Sequence, residues 1–412
     1  MIDVKLLREN PQVVQKAAKS KNIDIDVNHI LEIDKKYHEL SLSVQKLREE
    51  RNKFAKEKNI EKGKELKDKL EKEENALKAV EEELKEWMLK IPNLPLSSVP
   101  VGKNEKENVE LRKWGEIKKN DFQQKDHVEL GALLNLFDFE TGAKVSGSQF
   151  YFLYNEGAIL ELALIQYAFD LLRQEGFIPV ITPDLAKSRY YLGTGYLPKG
   201  NEAQIYEIKD EDLGLIATAE VALAGKHADE VIPEDKLPLK YVGYSHCFRK
   251  EAGAYGKYSR GLFRVHQFTK AEIFIYCLPQ DSEKMHQWLL SLEEKIYQNL
   301  EIPYRVVEMC SGDLGAMAAR KFDVEAWMPG RKEYGEITST SNCTDYQARN
   351  LNIRFKQKNG TTGFIHMING TAIATSRTII AILENYQQKD GSVLIPEVLQ
   401  KYTGFSEINI KK

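Results

Sequence analysis

The stretch "CFRKEAGAYGKYSRGLFRVHQFTKAEIF", Cys247–Phe274, reads as a hairpin with charge where a sheet would bury apolar side chains. On a strand, residues i and i+2 share a face, so Arg249 and Glu251 point together. The same rule groups Arg264, His266, Phe268, Lys270 and Glu272. A face with both signs of charge and one aromatic ring is poor core material, because buried charge is costly unless paired. Two readings fit it: a salt-bridged solvent face, or a floor for a purine ring and its phosphates. The intervening loop carries Gly253, Gly256 and Gly261, with Lys257 and Arg260 among them. Its composition predicts a flexible, basic loop.

Three further segments offer partners for such a floor. "GLIATAEVALAG", from Gly214, holds Thr218, Ala219 and Glu220, a lone acid in an apolar run. "EYGEITSTSNCTDYQ", from Glu333, contains Glu336 and Ser339, oxygen ligands of the kind Mg²⁺ takes. "INGTAIATSRTIIAIL", from Ile368, sets Arg377 near the start of an apolar helix, an awkward place for a charge without an anion. No phosphate loop of the GxxxxGK[ST] kind and no GxGxxG after a strand is present, so two common nucleotide folds lack support.

Working outward, the 412 residues suggest two or three domains, and 42% apolar residues suffice for a core. No run approaches the ~20 apolar residues of a membrane-spanning helix, and the charged start "MIDVKLLRENPQ" lacks a secretory h-region. Cys247, Cys277, Cys310 and Cys343 form no CxxC pair, which predicts free thiols in the reducing cytoplasm and no zinc. A net charge of −3 means that any nucleic-acid surface is local.

The first ninety residues carry two heptad seams. One runs Ile30, Ile33, Tyr37, Leu40, Val44, Leu47, Arg51, Phe54; the other runs Leu66, Leu70, Glu73, Leu77, Val80, Leu84, Trp87, Ile91. Pairing positions whose numbers sum to 124 predicts an antiparallel coiled coil over about 28–91. It turns near residue 62 at Gly63, and Arg51 faces Glu73 as a register-fixing ion pair. About 30 residues per helix gives an arm of roughly 45 Å. Residues 53–72 carry eight lysines against five acids, while 73–86 carry six acids against two lysines. A solvated helical face explains this; so does a basic tip for a phosphate backbone. The proline-rich and then polar segment 91–115 is a linker, and the domains are drawn as 1–108 and 109–412.

Beyond the linker, a helix over 156–176 and strand-like runs at 240–249, 262–277, 303–309, 321–328 and 363–368 precede a last long helix from about Thr371. Strands grouped with flanking helices, without βαβ alternation, predict an α+β domain on a largely antiparallel sheet.

With these residues in place, the chain resembles a seryl-tRNA synthetase of the ordinary bacterial type, end to end. "GFIPVITPDL" resembles class II motif 1, with Pro183 as its dimer-interface proline. "FRKEAG…RGLFRVHQFTKAE" resembles motif 2, and "NGTAIATSRTIIAILENYQ" motif 3. "TAE" at 218–220, "DFETGAKVSGSQFYFL" at 138–153 and the terminal "LIPEVLQKYTG" narrow the resemblance to the serine enzyme, as does the helical hairpin. The resemblance implies a six-stranded antiparallel sheet, a cytoplasmic homodimer, and ligation of L-serine to serine tRNA through a seryl-adenylate made with ATP and Mg²⁺. Serylation of selenocysteine tRNA, where the host has it, is implied too.

By position, the resemblance also implies roles. Arg249 binds the α-phosphate and the serine carboxylate. Lys250, Glu251, Val265 and Phe268 surround adenine, and Glu336, Ile337, Thr338 and Ser339 hold ATP, with Glu336 and Ser339 on Mg²⁺. Arg377 clamps the γ-phosphate. Thr218, Ala219, Glu220, Glu272 and Thr371 surround serine. Lys257 and Arg260, and on the arm Lys53, Lys56 and Lys64, meet tRNA. Arg249, Glu336 and Arg377 are the expected catalytic set.

Overall fold

The structure, a computed structural model, describes residues 1–57, 60–196, 205–251 and 261–410. The chain forms two compact units, Met1–Leu94 and Pro95–Lys412.

In the first unit, α1 (Val4–Glu9) is capped by Asp3, whose carboxylate accepts the Lys5 N–H at 2.9 Å. Helix α2 (Pro11–Ser20) opens with proline at a position where the missing N–H is not needed. Arg8 grips Asp34 on the next helix through two bonds of 2.7 and 2.8 Å. The two long helices are α3 (Val27–Lys56) and α4 (Ile60–Lys90). Their seams are the expected ones: Ile30, Ile33, Val44, Leu47, Leu70 and Val80 are buried.

The register differs from the expected one. The chain reverses between Lys56 and Ile60, so Gly63 lies inside α4 rather than at the turn. His29 packs edge-on to Trp87 at 5.1 Å, and Lys62 lies over the Phe54 ring at 5.2 Å. Both pairs sum to 116, not 124, a slide of about one heptad. Arg51 therefore no longer faces Glu73, and no ion pair joins them among the described residues. Arg48 and Glu74 make a cross-helix link instead, at 2.8 Å.

The second unit is built on an eight-stranded sheet. Its strands are β1 (Val109–Trp114), β2 (Ile178–Ile181), β3 (Leu239–Phe248), β4 (Gln267–Cys277), β5 (Tyr304–Glu308), β6 (Arg320–Met328), β7 (Glu333–Asn342) and β8 (His366–Ala374). Their spatial order is β1-β5-β6-β7-β8-β4-β3-β2. All neighbours run antiparallel except β2, which lies parallel to β3. The six inner strands match the expected antiparallel sheet; β1 and β2 extend it at either edge.

Flanking helices include α5 (His127–Leu133), α6 (Asn155–Gln174), α7 (Ala219–Gly225), α8 (Ser282–Asn299) and α9 (Thr375–Tyr386). Strand β4 shows how they are distributed. Its odd residues Ala271, Ile273, Ile275 and Cys277 join the main core with Leu164 and Leu171 of α6, Leu289 and Ile296 of α8, and Ile379 and Ile382 of α9. Its even residues Phe274 and Tyr276 join a second core with Ala219 and Leu223 of α7. The remaining even residues, Phe268, Lys270 and Glu272, face a cavity. Two details differ from the sequence reading. Helix α9 starts at Thr375, so Thr371 is a strand residue, and Arg264 and His266 precede β4 rather than belonging to it.

The arm's register is open to a double-mutant test. Coupling between Arg48→Ala and Glu74→Ala is expected to be nonzero but under about 1 kcal/mol, as for exposed pairs generally. Arg51→Ala and Glu73→Ala are expected to add without coupling, and urea melts of the four single and two double variants check both.

Candidate active site

Two β-bulges shape the cavity. Between β6 and β7, Val324 pairs with Thr338 but Glu325 pairs with Glu336, so Ile337 is an extra residue on β7. In a regular strand Glu336 and Ser339 would point to opposite faces; the inserted residue restores them to one. Between β4 and β8, Ala271 pairs with Ile373 but Glu272 with Thr371, so Ala372 is the extra residue. That shift sets Thr371 opposite Glu272, and Thr371 and Ala374 both line the cavity. The Thr338 hydroxyl donates to the Thr371 carbonyl and ties the two bulged strands together.

The cavity measures about 400 Å³. Twelve of the residues that the resemblance assigns to ATP or serine line it: Glu220, Arg249, Glu251, Val265, Phe268, Glu272, Glu336, Ile337, Thr338, Ser339, Thr371 and Arg377. Three others do not. Thr218 caps α7, its hydroxyl accepting the Glu220 N–H at 3.2 Å, and Ala219 is buried behind it. Lys250 is exposed, its ammonium 5.8 Å from the Tyr206 ring. Lys53, Lys56 and Lys64 are exposed on the facing ends of α3 and α4, whereas Lys257 and Arg260 lie outside the described residues.

One side of the cavity is cationic. The Arg249 guanidinium sits 5.1 Å from the Phe268 ring centroid, and its Nε donates to the Ala217 carbonyl at 3.4 Å. Arg377 Nη1 donates to the Glu336 carbonyl at 3.1 Å and lies 3.3 Å from its carboxylate. Desolvation opposes ionisation of Glu336, whose side chain is 42% exposed, but Arg377, Lys321 and Arg249 outweigh it and hold the carboxyl well below the usual range. Glu251, at φ +44°, pairs with Arg264 at 3.0 Å.

The other side is a nest of buried acids. Glu272, 2% exposed, is ion-paired to Lys270 two residues back on the same face. Glu220 Oε1 accepts from Gln347 at 2.7 Å and Asn369 at 2.8 Å, and Oε2 accepts from the Tyr196 hydroxyl at 3.2 Å. Burial first, then the charge of Glu272, push the Glu220 carboxyl up to about 7. The arrangement gives cations and an aromatic ring for phosphates and a purine, and acids for an ammonium or hydroxyl.

Lys270 stood in the first-quoted stretch without an assigned part. Lys321, Asn369, Gln347 and Tyr196 were missed. A signal existed for Lys321: "RKFDVEAW" alternates charge at period two just as the 264–272 segment does. Asn369 opens the motif 3 segment. Nothing local marks Gln347 or Tyr196, which meet Glu220 only through the fold.

A carboxyl whose pKa rises on folding contributes its full stability below the unfolded pKa and loses it as pH rises through the folded pKa. The folded state therefore loses stability from about pH 4.5 to about pH 7, by at most roughly 3 kcal/mol. Glu220→Gln keeps all three partners, its amide NH₂ donating to Tyr196. Its melting temperature is expected to match the parent near pH 4.5 and exceed it at pH 8. A gap independent of pH would refute the buried-acid assignment.

Comparison with known proteins fits this geometry. Residues 1–95 match the family profile described as the seryl-tRNA synthetase N-terminal domain, and residues 205–386 match the tRNA synthetase class II core domain (G, H, P, S and T). The curated serine–tRNA ligase of Dictyoglomus turgidum is 56% identical over the whole of both chains, and that of Rubrobacter xylanophilus is 50% identical over 98% of each. A crystal structure of seryl-tRNA synthetase from Pyrococcus horikoshii complexed with ATP superposes with a TM-score of 0.92 at 42% identity, over the full length of both chains. With its helical hairpin, antiparallel sheet and charged cavity, the chain belongs to the seryl-tRNA synthetase family, the serine–tRNA ligases.

Proposed function

We propose that the chain attaches L-serine to serine tRNA in two steps, through a seryl-adenylate. The observation that carries this reading is that one cavity holds both the arginines Arg249 and Arg377 and the buried acids Glu220 and Glu272, with Thr371 beside Glu272. ATP suits the arginines and serine the acids, and sharing one cavity brings the serine carboxylate to the α-phosphate.

In the first step a serine carboxylate oxygen attacks the α-phosphorus; a P–O bond forms, and the bond to pyrophosphate breaks. Positioning and charge neutralisation suffice, and no protein nucleophile is needed. Arg249 meets the α-phosphate and the serine carboxylate, and Arg377 the γ-phosphate. Phe268 and Val265 flank adenine, and Glu251 accepts from its amino group. Glu336 and Ser339, brought to one face by the bulge and with the carboxyl held ionised, fit a Mg²⁺ that arrives with ATP; it would supply further neutralisation of the phosphates. In the second step the terminal ribose hydroxyl of tRNA attacks the acyl carbon and AMP leaves.

Serine is read by charge and hydrogen bonding. Glu220 faces its ammonium, and Glu272 with Thr371 its hydroxyl. A site built around a hydroxyl rejects alanine, because its polar groups would be left unpaired. The basic ends of α3 and α4 suit RNA backbone, read by shape more than by base. A homodimer is supported by apolar exposure near motif 1: Ile178 and Ile181 on the edge strand β2 are 52% and 79% exposed, and Leu162 on the adjoining α6 is 63% exposed. Selenocysteine tRNA, where the host has it, would enter by the same surfaces.

Charging of total tRNA with labelled serine, with threonine and alanine as controls, tests the reading. Serine alone is expected to be charged, and Arg249→Ala is expected to lose serine-dependent pyrophosphate exchange by at least about 100-fold. Exchange without charging would point to a carrier-protein acceptor instead. For the arm, Lys53→Glu, Lys56→Glu and Lys64→Glu combined are expected to raise KM for tRNA severalfold and leave exchange unchanged. Unchanged charging at physiological salt would remove those lysines from the RNA surface.

A further inference from the structure

A buried His–Glu pair on the main-core side of the unit has no part in the chemistry above. His127, the first residue of α5, is 6% exposed, and Glu384, near the end of α9, is fully buried. Their contacts fix the imidazole's protonation pattern. The Leu262 N–H points at His127 Nε2 at 3.3 Å, so Nε2 must offer a lone pair. The ring proton is then on Nδ1, which donates to Glu384 Oε1 at 2.9 Å. The same Oε1 accepts the His127 backbone N–H at 3.1 Å, and Oε2 accepts the Gly330 N–H at 2.8 Å.

Two glycines permit this close fit. Gly261 takes φ +73°, and a Cβ there would collide with His127 Nε2. A Cβ on Gly330 would lie 2.9 Å from Glu384 Oε1. Side chains at either position would separate the pair from the backbone it holds.

The residue after Leu262 is Phe263, and Phe263 holds Arg377. The Arg377 guanidinium lies 4.7 Å from the Phe263 ring centroid, and its Nε donates to the Phe263 carbonyl at 3.4 Å. Arg331 lies over the same ring at 4.3 Å. A continuous chain of contacts thus runs from Glu384 through His127 and Leu262 to Phe263 and on to the guanidinium. Both ends of the chain are on α9, which carries Arg377 in its first turn and Glu384 in its last.

We propose that His127, oriented by Glu384, is a positioning residue for the ATP clamp: it fastens Leu262 so that Phe263 presents Arg377 to the phosphates. The proposal rests on the reading of Arg377 as a phosphate ligand. Packing alone would make the pair matter for stability and for both substrates alike. A positioning role makes it matter for ATP.

The test uses the full chain and serine-dependent pyrophosphate exchange, with ATP and serine varied separately. His127→Phe keeps a ring of similar size but removes the acceptor for Leu262. It is expected to raise KM for ATP about tenfold, equivalent to about 1.4 kcal/mol, with KM for serine within about twofold of the parent. His127→Gln, whose carbonyl oxygen can accept the Leu262 N–H, is expected to recover most of the loss. Phe263→Leu leaves His127 and Glu384 intact and is expected to raise KM for ATP in the same way, so the test survives if His127→Phe fails to fold. Arg377→Ala is the control. If it leaves KM for ATP unchanged, the phosphate role of Arg377 falls and the proposal with it. If it raises KM for ATP while His127→Phe and Phe263→Leu do not, or while they raise both KM values alike, the positioning role alone is overturned.

Discussion

The buried ion pair between Lys270 and Glu272 is the constraint around which the second unit is organised. Charge at these positions cannot face the main core without a large desolvation penalty. Strand β4 must therefore present its odd residues to α6, α8 and α9 and its even residues elsewhere. Along that even face the environment changes partway: Phe268, Lys270 and Glu272 meet the cavity, while Phe274 and Tyr276 meet a second core. One strand thus serves as wall of the site and as ridge of the core, and its own alternation keeps the two roles apart.

Around that strand, the neighbours are shaped by what the site needs rather than by regular pairing. The extra residues Ile337 and Ala372 break the β6–β7 ladder and the β4–β8 ladder. Each break changes the phase of the side chains beyond it. Glu336 with Ser339, and Thr371 with Glu272, come together only because of these breaks. Bulges beside a site are a common device for re-aiming side chains without changing the fold around them.

The acidic half of the cavity depends on neutral partners. Gln347, Asn369 and Tyr196 donate to a carboxyl that burial and Glu272 would otherwise keep protonated. These donors lie in three separate segments, and none belongs to β4. The cationic half is supported differently: Arg249 leans on Phe268 and Arg377 on Phe263, so aromatic faces hold both guanidiniums in place.

The sequence by itself determined which residues were poor core material, that the first ninety residues carry two seamed helices, and which family the ordered motifs resemble; the linker drawn over 91–115 was too long, since Val109–Trp114 pairs into the sheet and the second unit begins at Pro95. The helices and the misplaced charges are local statements, fixed by period and composition; the family rests on the resemblance of the motifs. Tertiary structure alone decided the arm's register. A heptad seam looks the same after a slide of seven, so sequence could not separate a reversal at Gly63 from one before Ile60; the helix ends at Lys56 and Ile60 and the His29–Trp87 contact did. It alone decided that Thr371 belongs to a strand and that Glu336 and Ser339 share a face, because a bulge is a relation between two strands and leaves no period of its own. The hold of Gln347 and Asn369 on Glu220 and the grip of His127 on Leu262 were hidden for the same reason: each joins residues more than a hundred positions apart, and only the packed sheet and helices bring them within a hydrogen bond.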